Sequence, residues 1–274
     1  MAKRPGMRFT SATSLLFVIF VSFQFSDATR EVSVDGNIPA RPVRGDEVIL
    51  ECKYRIMVHQ SPLYSVRWYK DNREFYSYLP SNSPAKKAFK VPGVRVDVPA
   101  SNDSRVLLLP VDFSSSGTYK CEISTEGPFF FSGSYEQEMV VVATPKGPPE
   151  ISGGRSTYRP GDYVHVNCTS GPSKPATEIM WYINGHRADG GYLIHYDPQM
   201  VEGGLEVSTL GLKFQASTRH FPDGTLNLKC TATMASVYYQ SGEKKATAHG
   251  HHAMLSSISE ISHIFAEYWQ IPED

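Results

Sequence analysis

One spacing, written twice, constrains this chain of 274 residues more than anything else in it. Trp68 follows Cys52 by sixteen residues, and Cys121 closes the group. Trp181 follows Cys168 by thirteen, and Cys230 closes that one. The chain has no other cysteines. An even cysteine count in a secreted chain implies disulfides, and four cysteines allow three pairings. No two lie at CxxC spacing and no histidine stands at a finger-like distance from one, so structural zinc is not expected.

The secretory context is read from the N-terminus. Lys3, Arg4 and Arg8 lead into the apolar run "LLFVIFVSFQF", Leu15 to Phe25, and then Ser26-Asp27-Ala28. That is the order of a signal peptide, expected over residues 1–28. The run is too short to span the ~30 Å of a bilayer's hydrocarbon. Cleavage removes three basic residues and one acidic one, which takes the formal net charge from −1 to −3. No second apolar run of spanning length follows. The end, "SSISEISHIFAEYWQIPED", carries too many charges for a lipid-anchor signal. The expected state is a freely secreted, extracellular protein with no direct membrane span, for which any association with a cell surface runs through its partner. Composition is globular, and no clustered basic run points to nucleic acid.

Alternation then gives the fold. In "EVILECKY", Val48, Leu50 and Cys52 fall on one face, the period of a half-buried strand. Leu210, Leu212 and Phe214 alternate likewise, as do Leu226, Leu228 and Cys230. A tryptophan packed on a disulfide between two sheets is the core of an immunoglobulin sandwich. The expected bridges are therefore Cys52–Cys121 and Cys168–Cys230, with Trp68 and Trp181 in the two cores. Each closes sixty-odd residues, and chain entropy makes such a bridge worth ~4 kcal/mol. Tyr119, two residues before Cys121 and just after Gly117, is placed to form a tyrosine corner. Leu228 stands at that position in the second half. The Pro-rich "TPKGPPEI", Thr144 to Ile151, divides the modules. The reading is all-β: a variable-type domain over 29–144, a constant-like or intermediate one over 145–250, and a tail at 251–274 without assigned role. The long segment after Trp68 leaves room for the extra strands of a variable-type sheet.

Four phrases add a family. "VRWYKDNREFYSYLP" (66–80), "KKAFKVPGVRVD" (86–97), "SSSGTYKCEISTEGPFF" (114–130) and "GGRSTYRPGDYVHVNCTSGPSKPATEIMWYING" (153–185) resemble the Beaten path family. The resemblance covers most of residues 30–240. It implies a neuronal recognition protein whose partners are transmembrane immunoglobulin-superfamily receptors of the Sidestep type, acting in axon guidance, defasciculation and synaptic partner matching. Some members carry an anchor or a cysteine-rich extension, and this chain shows neither.

If Trp68 and Tyr119 point inward, the pleat turns Arg67, Tyr69, Lys120 and Glu122 outward on the sheet that holds strands G, F, C and C′. Phe75, Tyr76 and Tyr78 follow on C′, at least some of them exposed. Phe129, Phe130 and Phe131 stand between F and G, and one or two of these must enter the core. Large aromatics with arginine are what interface centres favour. The expected partner-binding set is Arg67, Tyr69, Phe75, Tyr76, Tyr78, Glu122, Phe129 and Phe130, with Tyr69, Tyr76 and Phe130 as anchors. Two N-glycosylation sequons stand at Asn102 and Asn167. Ser115 occupies a position where variable-type domains usually carry an aspartate paired with an arginine near strand D. Asp112 is the nearest carboxylate, and a replacement pair with Arg95 is left open.

An enzyme is the competing class. No nucleophile elbow, phosphate loop or His-Glu-x-x-His is present. "HGHH" at 249–252 could hold copper or zinc, but it reads as the solvated start of a tail. No catalytic residue, metal or cofactor is expected. A soluble immune or pattern-recognition protein is the alternative that the bare fold leaves open.

Overall fold

The computed structural model describes residues 31–57 and 61–249. The signal peptide expected over 1–28, the tail at 251–274, and His251 and His252 lie outside them. Two sandwiches follow one another along the chain. In the first, one sheet runs β1 (Val32–Asn37), β2 (Val48–Ile56), β7 (Arg105–Leu108), β6 (Val96–Asp97). The facing sheet runs β5 (Lys86–Ala88), β4 (Arg73–Tyr78), β3 (Leu63–Lys70), β8 (Gly117–Thr125), β9 (Ser132–Met139). These are sheets A-B-E-D and C″-C′-C-F-G of the variable type. The segment after Trp68 supplies β4 and β5.

Period-two patterning builds the core. Val48, Leu50 and Cys52 of β2 are buried, and so are Tyr119, Cys121 and Ile123 of β8. The Cys52–Cys121 bridge joins the sheets with 6.4 Å between Cα atoms, and Trp68 is buried in the same cluster. Tyr119 Oη donates to the Ser115 carbonyl at 2.7 Å, which closes the expected corner. Ser115 does not leave an unmet partner. Its Oγ accepts from the Asp112 amide at 3.0 Å, and the Asp112 carboxylate accepts from the Ser114 amide at 2.7 Å and from the Ser114 hydroxyl. Those Ser114 bonds hold the Asp112 carboxyl below its usual range. Arg95 donates instead to the Pro110 carbonyl at 3.4 Å. The Asp112–Arg95 pair is thus replaced by a capping box.

The second sandwich pairs Glu150–Gly153, Tyr163–Thr169, Thr209–Gln215 and Leu193–His195 in one sheet. The other sheet holds Thr157–Tyr158, Tyr238–Ala248, Thr225–Met234, Glu178–Ile183 and His186–Arg187. Its C′ strand is two residues long and no C″ follows, so the form is intermediate. Cys168–Cys230 spans 6.3 Å between Cα atoms, and the Trp181 indole N–H donates to the Leu210 carbonyl at 2.8 Å. Leu228 is buried where the corner tyrosine would stand.

The modules touch through backbone and side chains. Ala143 and Lys174 exchange two amide–carbonyl bonds at 2.9 and 2.8 Å. Phe113 carries the Arg44 guanidinium at 5.0 Å and the Lys174 ammonium at 4.7 Å from its ring centre. Tyr238 Oη donates to the Gly147 carbonyl of the Pro-rich connector at 2.6 Å.

Candidate functional site

The outward face of β3 and β8 is where the pleat puts it. Arg67 stands opposite Glu122 and Tyr69 opposite Lys120 in the antiparallel register. All four are half-buried. The Tyr69 hydroxyl lies 3.5 Å from Glu122 Oε1, Lys120 Nζ lies 3.4 Å from Glu122 Oε2, and that same ammonium sits 4.9 Å above the Tyr69 ring. Burial, then the Glu122 charge, pushes the Tyr69 phenol up, so it is a neutral donor at physiological pH. Glu136 of β9 pairs across from Lys120. It was not among the residues expected at the site, although counting back by twos from the buried Met139 would have turned it outward. Half-exposed surface pairs of this kind are worth only ~0–1 kcal/mol each to stability. What they supply to a partner is a fixed pattern of charge around an aromatic ring.

The C′ strand behaves differently. Phe75 and Tyr76 are both fully buried and Tyr78 is half-buried against the core. These three were expected on the docking face, and strict alternation would have buried only one of the first two. The register explains the change. Trp68 faces Tyr76 but Tyr69 faces Glu74, so a bulge interrupts the pairing and Phe75 becomes the additional residue. Phe75 packs 5.8 Å edge-on to Tyr119 and 6.4 Å from Trp68. Tyr76 reaches through to donate to the Asn102 carbonyl at 3.1 Å. Its phenol is pushed up to about 12, chiefly by burial. Tyr76 cannot be an anchor for a partner.

At the F–G edge the three phenylalanines divide their tasks. Phe131 is half-buried against the core, and its carbonyl accepts from the Thr125 amide at 2.9 Å. Phe129 stacks on Phe131 at 5.5 Å yet is 63% exposed. Phe130 is 73% exposed, and its backbone has φ of +51°, a left-handed conformation uncommon for a bulky residue. The loop therefore holds two phenyl rings in solvent beside the Tyr69–Lys120–Glu122 cluster's sheet.

The two sequons meet different surroundings. Asn102 is exposed, and its Oδ1 accepts from the amides of Ser104 and Arg105, both at 2.9 Å, and from the Ser104 hydroxyl at 3.1 Å. That turn orients the side chain through Oδ1, and Nδ2, the atom a glycan takes, has no hydrogen-bond partner among the described residues. Asn167 is half-buried, and its Oδ1 is covered without a protein partner among the described residues. A Cβ added at Gly211 would come within 3.0 Å of it.

Residues 39–139 match the family model of the immunoglobulin V-set domain. The chain is similar to Cell adhesion molecule 2 of Xenopus tropicalis, 27% identical over 142 residues, which is 52% of this chain and 30% of that protein. It is also similar to human Cell adhesion molecule 1, 34% identical over 86 residues, 30% of this chain and 18% of that one. The chain spans less than a third of the length of either relative. Among solved structures, Rst D1-D2 is 17% identical with a TM-score of 0.46, over 80% of this chain and 98% of that one. The comparisons support an immunoglobulin-superfamily chain similar to cell adhesion molecules. Among the described residues, no helix is long and apolar enough to cross a membrane.

Proposed function

We propose that this chain is a non-enzymatic recognition protein of the cell surface or extracellular space, and that it docks a protein partner through the G-F-C face of its first sandwich. The observation that carries the reading is the pair of solvent-exposed rings, Phe129 and Phe130, beside a sheet that presents Tyr69 within a ring of Arg67, Lys120 and Glu122. Apolar rings held in water gain most when a partner covers them, and the mixed charges around them select which partner does. The resemblance to the Beaten path family makes the partner a transmembrane immunoglobulin-superfamily receptor of the Sidestep type, with a role in axon guidance and synaptic matching. Similarity to cell adhesion molecules supports the broader reading.

The same proposal takes residues 1–28 as a cleaved leader and divides the remainder at 29–144 and 145–250. It places N-glycans at Asn102 and Asn167. Asn102 precedes β7, on the sheet opposite the docking face, so sugar there leaves that face open. The test is receptor binding by Tyr69→Glu and Phe130→Glu variants that keep the wild-type unfolding midpoint. Each should weaken binding by a factor of about 30 or more, as loss of a central anchor does. Undiminished binding by both variants would sink the proposal.

A further inference from the structure

A second site stands apart from the docking face. The segment Val91-Pro92-Gly93-Val94 closes on itself, with the Val94 amide donating to the Val91 carbonyl at 3.1 Å and Gly93 at φ of +74°. Proline followed by a positive-φ glycine is the composition of a type II turn. This turn packs on the 3₁₀ turn Phe113–Ser115 so closely that a Cβ on Gly93 would lie 2.0 Å from the Ser114 carbonyl oxygen. Residues of both turns line an open groove of about 600 Å³. Lys90 lines it at one end of the turn, Arg95, whose guanidinium also reaches the Pro110 carbonyl, at the other, and Arg73 lines it from the C–C′ hairpin.

All three cations are exposed, and none forms an ion pair with a carboxylate among the described residues. Among the described residues the one acidic residue in the lining is Asp112, whose carboxylate is engaged by the amide and hydroxyl of Ser114. The chain as a whole carries a formal net charge of −1, so this concentration of positive charge is not a by-product of composition. Beyond Phe113, Arg44 and Lys174 extend the same sign of charge toward the junction of the modules.

We infer that this groove binds a sulfated glycan chain. Guanidinium and ammonium groups spread along an open channel suit oxyanions repeated along a polymer, and arginine adds bidentate geometry to each. Pro92, exposed between Lys90 and Arg95, offers apolar surface to the C–H face of a sugar ring, while its neighbours Val91 and Val94 are turned into the core and hold the turn in place. Among the described residues no aromatic side chain lines the groove, so it lacks the stacking platform that single-stranded nucleic acid requires. The sequence concealed the site because Arg73, Lys90 and Arg95 are spread over 23 positions. Only the fold brings them to one channel.

The probe is heparin, immobilised, with the secreted chain eluted by salt. The wild type should stay bound at physiological ionic strength. The triple variant Arg73→Ser, Lys90→Ser, Arg95→Ser should bind about tenfold or more weakly, with a salt slope shallower by roughly three, one per cation removed. A control triple, Lys53→Ser, Lys213→Ser, Lys245→Ser, carries the same net charge and should keep wild-type binding. Lys90→Gln alone, on an exposed residue, should weaken binding about threefold and serves if the groove triple does not fold. Phe130→Glu should leave heparin binding intact, which separates this site from the docking face. Equal losses in both triples, wild-type elution below physiological salt, or equal retention on desulfated heparin would each overturn the inference. So would equal affinity for single-stranded DNA of matched charge.

Discussion

The two sandwiches solve one problem with two different residues. Three positions after each tryptophan stands an Asx residue, Asp71 after Trp68 and Asn184 after Trp181. Each opens a two-residue hairpin with positive φ at both central positions, 48° and 62° at Asp71-Asn72, 49° and 83° at Asn184-Gly185. That is the type I′ pattern matched to strand twist. Each then reaches across to strand F three residues before its cysteine. Asp71 Oδ1 accepts from the Thr118 amide at 2.9 Å, and Asn184 Oδ1 accepts from the Asn227 amide at 2.8 Å. In both, the backbone amide of the Asx residue returns a bond to the same partner at 2.8 Å.

The difference lies in the remaining side-chain atom. The Asp71 carboxylate takes the Lys70 ammonium at 2.8 Å. The Asn184 amide donates to the His220 carbonyl at 3.0 Å. So the first module ties its corner with charge and with the Tyr119 hydroxyl, the second with a neutral amide bonded to the backbone carbonyl of the buried His220. The shared architecture is the bridge, the tryptophan and the Asx grip. The polar reinforcement around them is interchangeable.

The largest test of that equivalence is the bridges. Replacing Cys52 and Cys121 together by alanine should cost ~4 kcal/mol, and replacing Cys168 and Cys230 should cost about the same, since loop length barely changes the entropic term. Separate unfolding transitions in denaturant measure both, and a twofold disparity would break the comparison. A smaller effect tests the grip. Asn184→Ala removes two hydrogen bonds and should destabilise the second module by about 1–3 kcal/mol. Asp71→Ala should do at least the same to the first, because it also strips the nearly buried Lys70 ammonium of its partner.

The smallest effect separates the modules by pH. Burial, then Arg219, lowers the His220 pKa below its ordinary 6.5. The folded second module therefore resists that proton, so its stability is full above about pH 6.5 and declines as pH falls below it. The Lys70 and Thr118 bonds hold Asp71 below its ordinary 3.8, so the first module keeps that contribution until pH falls below about 4. Melting the chain at pH 7.5, 5.5 and 3.5 should show the second transition shifting first, and His220→Gln should remove that shift.

Where the sequence succeeded, it did so through strict period and strict spacing. The bridges, the tryptophans and Tyr119 follow from both. It misplaced Phe75, Tyr76 and Tyr78 because one bulge at Trp68–Tyr69 resets the alternation, and no residue type announces that bulge. The Asx grip was legible, as two turn dipeptides at equal distances from two tryptophans, but its meaning needs the facing strand. Trp68 and Trp181 look alike in the sequence. Trp181 finds a carbonyl, while the buried Trp68 N–H has no protein partner among the described residues.

The Asn184-Gly185 turn also bears on how the protein ages. Asparagine before glycine is prone to deamidation, because the glycine amide nitrogen can attack the side-chain carbon and expel ammonia. Here both polar atoms of the side chain are held, Oδ1 by Asn227 and Nδ2 by His220, so the carbon cannot swing toward that nitrogen while the module stays folded. Unfolding releases it. The aspartate then formed would reproduce the first module's turn with Ile183 where Lys70 supplies the counter-charge. A spell in the unfolded state would thus leave a lasting chemical record at one residue.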